Sequence, residues 1–360
     1  MAILSENETF RDTYEVERFL GEGAFAEVYR VRHRFLGKQA MKVFKASGMT
    51  LADIEQAMGE AIMLSRIGHP NIVRVFDANL LETPKGTYGY FTMENVPGGS
   101  LEKFWASHGE DRMPVATAVD IIRQICRGIS VAHGESPPII HRDIKPQNIL
   151  IGYENGGLRV RVSDFGLAKE VNALTLLATA AGTLAFKPPE AFMENRSDSC
   201  ASDVWAIGVT FYQLLTDRLP HPPPDILEWG NRYVFLDTII PPSQYNADVD
   251  ERLDRILRKA LRLKPEDRYQ NATEMLASLD KWIPGEPGIL QLADSSPSPV
   301  EIPQQPQNTE HETIHHAMEL KKQGQLTAAA QTMEDAFLKW PHLREKYDSK
   351  VRLWRCGIAM

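Results

Sequence analysis

Two carboxylates, an amide and a lysine stand close together in one part of this 360-residue chain. The run His141-Arg142-Asp143-Ile144-Lys145-Pro146-Gln147-Asn148 sets a lysine two residues, and an asparagine five residues, after its aspartate. Beyond the apolar stretch Ile149-Leu150-Ile151 comes a second aspartate, in Asp164-Phe165-Gly166. Transfer of a phosphoryl group from a nucleotide needs these residue types. One carboxylate orients the attacking hydroxyl, an amide and a second carboxylate hold magnesium through oxygen, and a cation offsets charge on the moving phosphate. His-Arg-Asp alone carries little information. The longer stretch with Asp-Phe-Gly at a suitable distance carries far more.

Together these segments resemble the catalytic loop and metal-binding loop of eukaryotic-type protein kinases. The resemblance implies that Asp143 accepts or orients the substrate hydroxyl proton and that Lys145 contacts the γ-phosphate of ATP. It implies that Asn148 and Asp164 hold Mg²⁺. Lys145, two residues after Asp143, is similar to the serine/threonine class.

The elements that must position these groups come earlier. Residues 14–44 read as three strands. Tyr14 to Leu20 runs into Gly21-Glu22-Gly23-Ala24-Phe25-Ala26-Glu27, and the chain returns through Val28. A hairpin with glycines at its turn lets backbone N–H groups approach phosphates. Ordinary hairpins use glycine too. The turn resembles a kinase glycine-rich loop, which assigns Leu20, Gly21, Glu22, Gly23, Ala24, Phe25 and Val28 to nucleotide binding. Ala26 departs from that pattern by replacing its third glycine with one extra methyl.

Gln39 to Phe44 resembles the third kinase strand, whose lysine, here Lys42, pairs with the α- and β-phosphates. Leu51 to Ile67 is helical by its apolar spacing. Glu60 within it stands where that family carries the lysine-pairing glutamate. Ile72 to Phe76 and Gly89 to Met93 complete an expected five-stranded lobe. Met93-Glu94-Asn95-Val96 resembles the hinge, with the backbone of Glu94 and Val96 bonding adenine and Met93 guarding the pocket behind it. Val28, Ala40 and Leu150 would sandwich the purine. Taken singly, each of the three reads as plain core.

Val115 to His133 is a second helix, delivering the chain to the catalytic loop. Pro188-Pro189-Glu190 resembles the close of a kinase activation segment, with Pro188 in place of the family's alanine. Gly182-Thr183 resembles its substrate-docking turn. Thr179 is the candidate for activating phosphorylation and Thr175 the second choice, with Arg142 and Lys169 as cationic partners. By the same resemblance Asp203 bonds the backbone at His141-Arg142, and Arg268 pairs with Glu190. Leu64, Val75, His141 and Phe165 would stack across the two lobes.

The formal net charge of -8 offers no electrostatic footprint for nucleic acid. No apolar segment approaches the ~20 residues that span a bilayer. Cys126, Cys200 and Cys356 are odd in number and far apart, which reads as buried thiols in a reducing compartment. A cytoplasmic protein is expected. Residues 284–310 are rich in Pro, Gln and Ser and read as a linker. Residues 311–360 return to helical pattern and resemble one tetratricopeptide repeat, which would pack on the kinase, pair with a protein partner or begin a longer array.

The expected fold is α+β and bilobal. A small antiparallel β lobe with one helix and a larger, mainly helical lobe fill residues 11–283, followed by the helical tail. The expected activity is ATP- and Mg²⁺-dependent transfer of phosphate to Ser or Thr hydroxyls of a protein substrate. A pseudokinase scaffold acting through the tail is the rival, and a small-molecule kinase of the aminoglycoside type is a second. The intact Lys42, Glu60, Asp143, Asn148 and Asp164 argue against the first. The Pro-Pro-Glu segment and the helix opening at Asp203 argue against the second.

Overall fold

The computed structural model describes residues 2–23, 26–45, 58–59, 67–83, 86–109, 112–154, 157–165, 184–192, 198–221 and 239–284, with part of 313–354. The chain divides into two compact units, Met1–Leu290 and Gln291–Met360.

The first unit opens with an antiparallel sheet. Its strands are β1 (Thr9–Phe10), β2 (Tyr14–Glu22), β3 (Ala26–His33), β4 (Gly37–Phe44), β5 (Val75–Thr83) and β6 (Gly86–Glu94). Their order across the sheet is β1-β2-β3-β4-β6-β5. Side chains of a strand alternate between faces, and the sequence uses both faces. Tyr29 and Val31, Met41 and Val43, and Tyr88 and Tyr90 point into one buried cluster with Leu4, Phe10, Tyr14 and Val16. The intervening residues Ala26, Ala40, Phe44, Phe91 and Met93 form a second cluster on the other face. Lys42 belongs to that second face because it lies between Ala40 and Phe44 in β4.

Two expectations change here. The sheet has six strands, not five, because residues ahead of the expected boundary fold onto it. Ile3 donates its backbone N–H to Glu27 at 2.8 Å, and the Leu4 N–H bonds the Tyr29 hydroxyl at 3.1 Å. Leu4 is thereby buried, and Asn7 and Glu8 join the backbone of Val16 before β1 forms. The strand placed at Ile72–Phe76 begins instead at Val75. Asn71 and Val73 are bonded to Val162 at 2.9 Å each, so the chain serves the second sheet before it enters the first. Of the helix expected at 51–67, Met58–Gly59 is helical and most of the rest lies outside the described residues.

After Gly98 and Gly99 come α1 (Leu101–Ala106) and α2 (Val115–His133), then the two-stranded sheet β7 (Ile149–Glu154) and β8 (Gly157–Val162). Among the described residues three helices follow: α3 (Cys200–Thr216), α4 (Glu251–Ala260) and α5 (Ala272–Asp280). α3 is apolar on nearly every side, as a helix enclosed by other elements must be. It is started by a reciprocal Ser199–Ser202 capping box and stopped by Asp217 in the left-handed region at φ 57°. α4 and α5 are capped by Asp250 and Asn271, whose side chains accept backbone N–H groups at 3.0 Å. Asn71 ties α2 to β8 through Gln124 and the Val160 carbonyl, at 3.1 and 2.9 Å. α2 can approach there because residue 128 is glycine; a Cβ would meet the Asn71 carbonyl oxygen at 2.8 Å.

In the second unit, α6 (Leu326–Lys339) packs small residues, among them Ala329, Ala330 and Ala336, with Phe337, Leu343, Val351 and Trp354 in a core of its own. Among the described residues no helix is long and apolar enough to cross a membrane. Cys126 is fully buried, whereas Cys200 is only partly so, a departure from the expectation of buried thiols throughout; Cys356 lies outside the described residues.

A buried ion pair joins Arg268 to Glu190. Both guanidinium nitrogens Nη1 and Nη2 reach the carboxylate at 2.7 Å. The remaining donors go to the carbonyls of Arg262, Leu263 and Ala201, and the guanidinium plane lies 4.9 Å from the Trp205 ring centroid. Such a pair contributes little over a well-packed apolar replacement, but removing one partner strands the other. Arg268→Met should therefore cost about 3–5 kcal/mol. Urea unfolding should show a lower midpoint at an unchanged slope.

Candidate active site

The sheet face that carries Lys42 forms one wall of a slot. Val28 and Leu150 are partly buried against Ala26, Ala40, Phe44, Val73, Phe91 and Met93. Leu150 reaches this cluster from β7, which is held beside the interlobe segment by the Ile151 N–H to Gly99 carbonyl bond at 2.8 Å. Residue 98 must be glycine at this contact, since a Cβ would meet the Ile151 carbonyl oxygen at 2.3 Å. Of the expected hinge residues, Met93 is buried in the slot wall, and the Glu94 carboxylate is bonded to Arg161 of β8 at 2.7 Å. Val96 lies against Gly152, at 3.3 Å from where a Cβ would stand.

The glycine-rich turn is open at both of its glycines. A Cβ at Gly21 would meet nothing within 4 Å, and one at Gly23 only the Ala26 carbonyl oxygen at 3.7 Å. Neither glycine has positive φ. Packing among the described residues therefore does not demand glycine at either place. The room is what a phosphate needs to reach the backbone N–H groups. Leu20 is about two-fifths exposed, at 39%. Glu22 is bonded to Lys45, whose ammonium also bonds the Gly23 carbonyl at 3.0 Å. Ala24 and Phe25 lie outside the described residues.

Two lysine–aspartate pairs face the slot. Lys42 Nζ lies 2.6 Å from Asp164 Oδ1, and Lys145 Nζ lies 2.8 Å from Asp143 Oδ2. Asn148 donates from Nδ2 to the Asp143 carboxylate at 2.9 Å and to its carbonyl at 2.8 Å, which fixes the amide with Oδ1 as its acceptor end. Asp143, Lys145, Asn148, Lys42 and Asp164 are thus gathered in one place. Burial would raise the Asp164 pKa, but the charge and hydrogen bond of Lys42 more than offset it and hold the carboxyl below its usual range. Glu60, the partner expected for Lys42, lies outside the described residues, as do Gly166, Lys169, Thr175, Thr179, Gly182 and Thr183. Of the expected interlobe stack, His141 and Phe165 are in ring contact at 4.4 Å and Leu64 is outside the described residues.

What holds the catalytic loop is a buried carboxylate. Asp203 of α3 accepts the backbone N–H of His141 at 2.7 Å and of Arg142 at 2.8 Å. His133 at the end of α2 donates from Nε2 to the same carboxylate at 3.0 Å and accepts the Ala272 N–H at Nδ1. Burial opposes ionisation of Asp203. The hydrogen bonds from His133 and from the His141 backbone overcome it and keep the pKa low. His141 is also fixed in one tautomer. Its Nε2 faces the Ser163 carbonyl at 2.9 Å, and Nδ1 accepts the Asp143 N–H at 3.2 Å. Nδ1 can accept only in the neutral ring, and burial pushes its pKa down in the same direction.

Sequence reasoning missed three contacts. Arg142, assigned to a phosphorylated activation segment, is bonded through Nε to Asp198 at 2.8 Å. His133 closes the Asp203 site from α2. Lys187 reaches the Arg142 carbonyl at 2.7 Å. None has a local pattern, because each partner lies far away along the chain.

Asp203→Asn would turn one acceptor oxygen into a donor facing an N–H group. A cost of about 2–3 kcal/mol is expected from the buried group left unsatisfied. The folded-state pKa of Asp203 lies below the unfolded value of about 3.9. Its ionised form therefore stabilises the fold fully above that value, and the contribution fades as pH falls through the folded pKa. Denaturant unfolding as a function of pH should show the gap between wild type and variant narrowing below about pH 4.

Residues 14–282 match the protein kinase domain family. The chain is 34% identical over 284 residues to the serine/threonine-protein kinase PknB of Mycobacterium tuberculosis, covering 77% of this chain and 44% of that protein. PknB of Mycolicibacterium smegmatis is likewise 34% identical, over 295 residues that cover 79% of this chain and 45% of that one. The chain thus spans less than half the length of these curated relatives. The solved kinase domain of Mycobacterium tuberculosis PknI aligns with a TM-score of 0.59 at 24% identity, covering 77% of this chain and 99% of that domain. That likeness is one of fold. With most of its length matched, this chain belongs to the protein kinase domain family.

Proposed function

We propose that the protein transfers the γ-phosphate of ATP to serine or threonine hydroxyls of a protein substrate, with Mg²⁺. The reading is carried by the gathering of Lys42, Asp164, Asp143, Lys145 and Asn148 beside an apolar slot. Asp143 orients the hydroxyl and takes its proton, Lys145 neutralises charge on the transferring group, and Lys42 holds the α- and β-phosphates. Asn148 and Asp164 supply the oxygens for the cation. Among the described residues no group of three or more His, Cys, Asp or Glu suggests an all-protein cage. Mg²⁺ needs none, since it is commonly held by one or two carboxylates together with phosphate and water oxygens. When bound, the metal nucleotide supplies the electrophilic phosphorus and spreads the developing charge. Lys42 and Lys145, now paired with Asp164 and Asp143, are the cations that would hold its phosphate oxygens. The glycine-rich turn, the slot lined by Val28, Ala40, Met93 and Leu150, and the backbone of Glu94 and Val96 are the proposed nucleotide contacts.

The retained Lys42, Glu60, Asp143, Asn148 and Asp164 disfavour a scaffold that has lost catalysis. An activating phosphate on Thr179 or Thr175 would share Arg142 with Asp198, which is bonded to its Nε–H. The tail, with its own small core, is proposed to bind a protein partner, and its likeness to one tetratricopeptide repeat is part of that proposal. Deleting residues 311–360 should leave phosphorylation of a generic peptide intact while narrowing the set of proteins phosphorylated in extract. An unchanged set would remove the tail from recruitment.

Incubation with ATP and Mg²⁺ followed by mass spectrometry should find phosphate on serine or threonine of the protein or of an added peptide. Asp143→Asn should lower kcat about 10²–10⁴-fold, the usual worth of a positioned base. Asp164→Asn should abolish metal-dependent turnover. Phosphate moved to aminoglycosides and not to peptides would overturn the reading.

A further inference from the structure

We propose that Lys187 is a positioning residue for Asp143, linking the end of the activation segment to the catalytic loop. The inference deepens the kinase reading and rests on it. Its basis is the peptide group between Arg142 and Asp143, the backbone from which the proposed base projects. The N–H side of that peptide bonds His141 Nδ1 at 3.2 Å. The carbonyl side accepts the Lys187 ammonium at 2.7 Å. The two preceding N–H groups are held by Asp203. The plane that aims Asp143 is therefore gripped at both edges, and Lys187 makes the grip on the carbonyl edge.

Lys187 stands on a fixed base. Its own N–H closes a turn onto the Leu184 carbonyl at 3.1 Å, and Leu184 and Phe186 are buried on either side of the turn. Three residues later Glu190 is locked to Arg268. A half-buried ammonium is a costly group to place here, and burial pushes its pKa down, with the charges of Asp143, Asp198 and Asp203 offsetting part of that penalty. The fold bears this cost at a point where an apolar side chain would fill the same space. What the ammonium adds is a charge-assisted bond to the carbonyl of Arg142, which has φ 68°, a left-handed conformation disfavoured for any residue but glycine. Without that bond the carbonyl can rotate toward a more common conformation and swing the Asp143 side chain. A misplacement of about 1 Å at a reacting group can cost about a hundredfold in rate.

Lys187→Met keeps length and removes the donor; Lys187→Arg keeps charge and donor. The expected result with a peptide substrate is a kcat at least about tenfold lower for Lys187→Met, with KM for ATP within twofold of wild type. Lys187→Arg should recover most of the lost kcat, and the unfolding midpoints of all three proteins should agree closely. Hydrogen exchange of the peptide covering 141–148 should be faster in Lys187→Met alone. A kcat within twofold of wild type, or a loss in Lys187→Arg equal to that in Lys187→Met, overturns the proposal. So does a fall in kcat that merely follows a fall in folded fraction. If wild type transfers no phosphate at all, the kinase reading fails by itself, and exchange still decides the loop contact. Faster exchange in Lys187→Met sustains the restraint, and unchanged exchange refutes it.

Discussion

A single ionised carboxylate in the middle of the larger lobe sets the geometry of everything around it. Asp203 is 1% exposed and accepts from two consecutive backbone N–H groups and one imidazole. A charge so deeply placed is tolerated only when its lone pairs are filled, so the loop that supplies those donors has little freedom to be anywhere else. The constraint runs both ways. His141 and Arg142 are held because Asp203 needs them, and Asp203 is stable because they are held. α2 joins through His133, which accepts from the start of α5, so three helices and the catalytic loop meet at one anion.

The smaller lobe reaches the same site by a different means, the two-residue period of a strand. In β4 the alternation that buries Met41 and Val43 on one face sends Ala40, Lys42 and Phe44 to the other. A shift of one residue in pairing would bury the ammonium among the tyrosines of the first cluster. Register is thus protected by the penalty for burying an unpaired cation, and the position of Lys42 follows from the hydrophobic pattern around it. Its ammonium then meets Asp164, which follows β8 at φ 60°.

Much of the site could be read from residue order because its members are close in sequence. Asp143, Lys145 and Asn148 lie on one loop, and an asparagine five residues after an aspartate can fold back on it, as Asn148 does. α2 was legible from its apolar spacing, and its bounds agree with Val115–His133. Tertiary pairings were harder. Asp198 on Arg142 and Lys187 on the Arg142 carbonyl join positions 56 and 45 residues apart, and neither partner sits in a pattern. The start of β5 was misplaced because Ile72 and Val73 are apolar for another reason, their contact with β8. β1 was missed because two residues show no period.

The segment running from Ile3 to Phe10 has a practical side. Likeness to the family begins at residue 14, yet Leu4 and Phe10 belong to the same apolar layer as Tyr14, Tyr29 and Tyr90. A fragment cut where the likeness starts would open that layer to water. It would also take two N–H donors from the buried Glu27–Tyr29 pair, close in sequence to the glycine-rich hairpin. The edge of a family resemblance is a statement about ancestry, and the edge of a folded layer is a statement about contacts. Here the two differ by about ten residues, and a cut at the first would leave the second strand as an uncovered sheet edge.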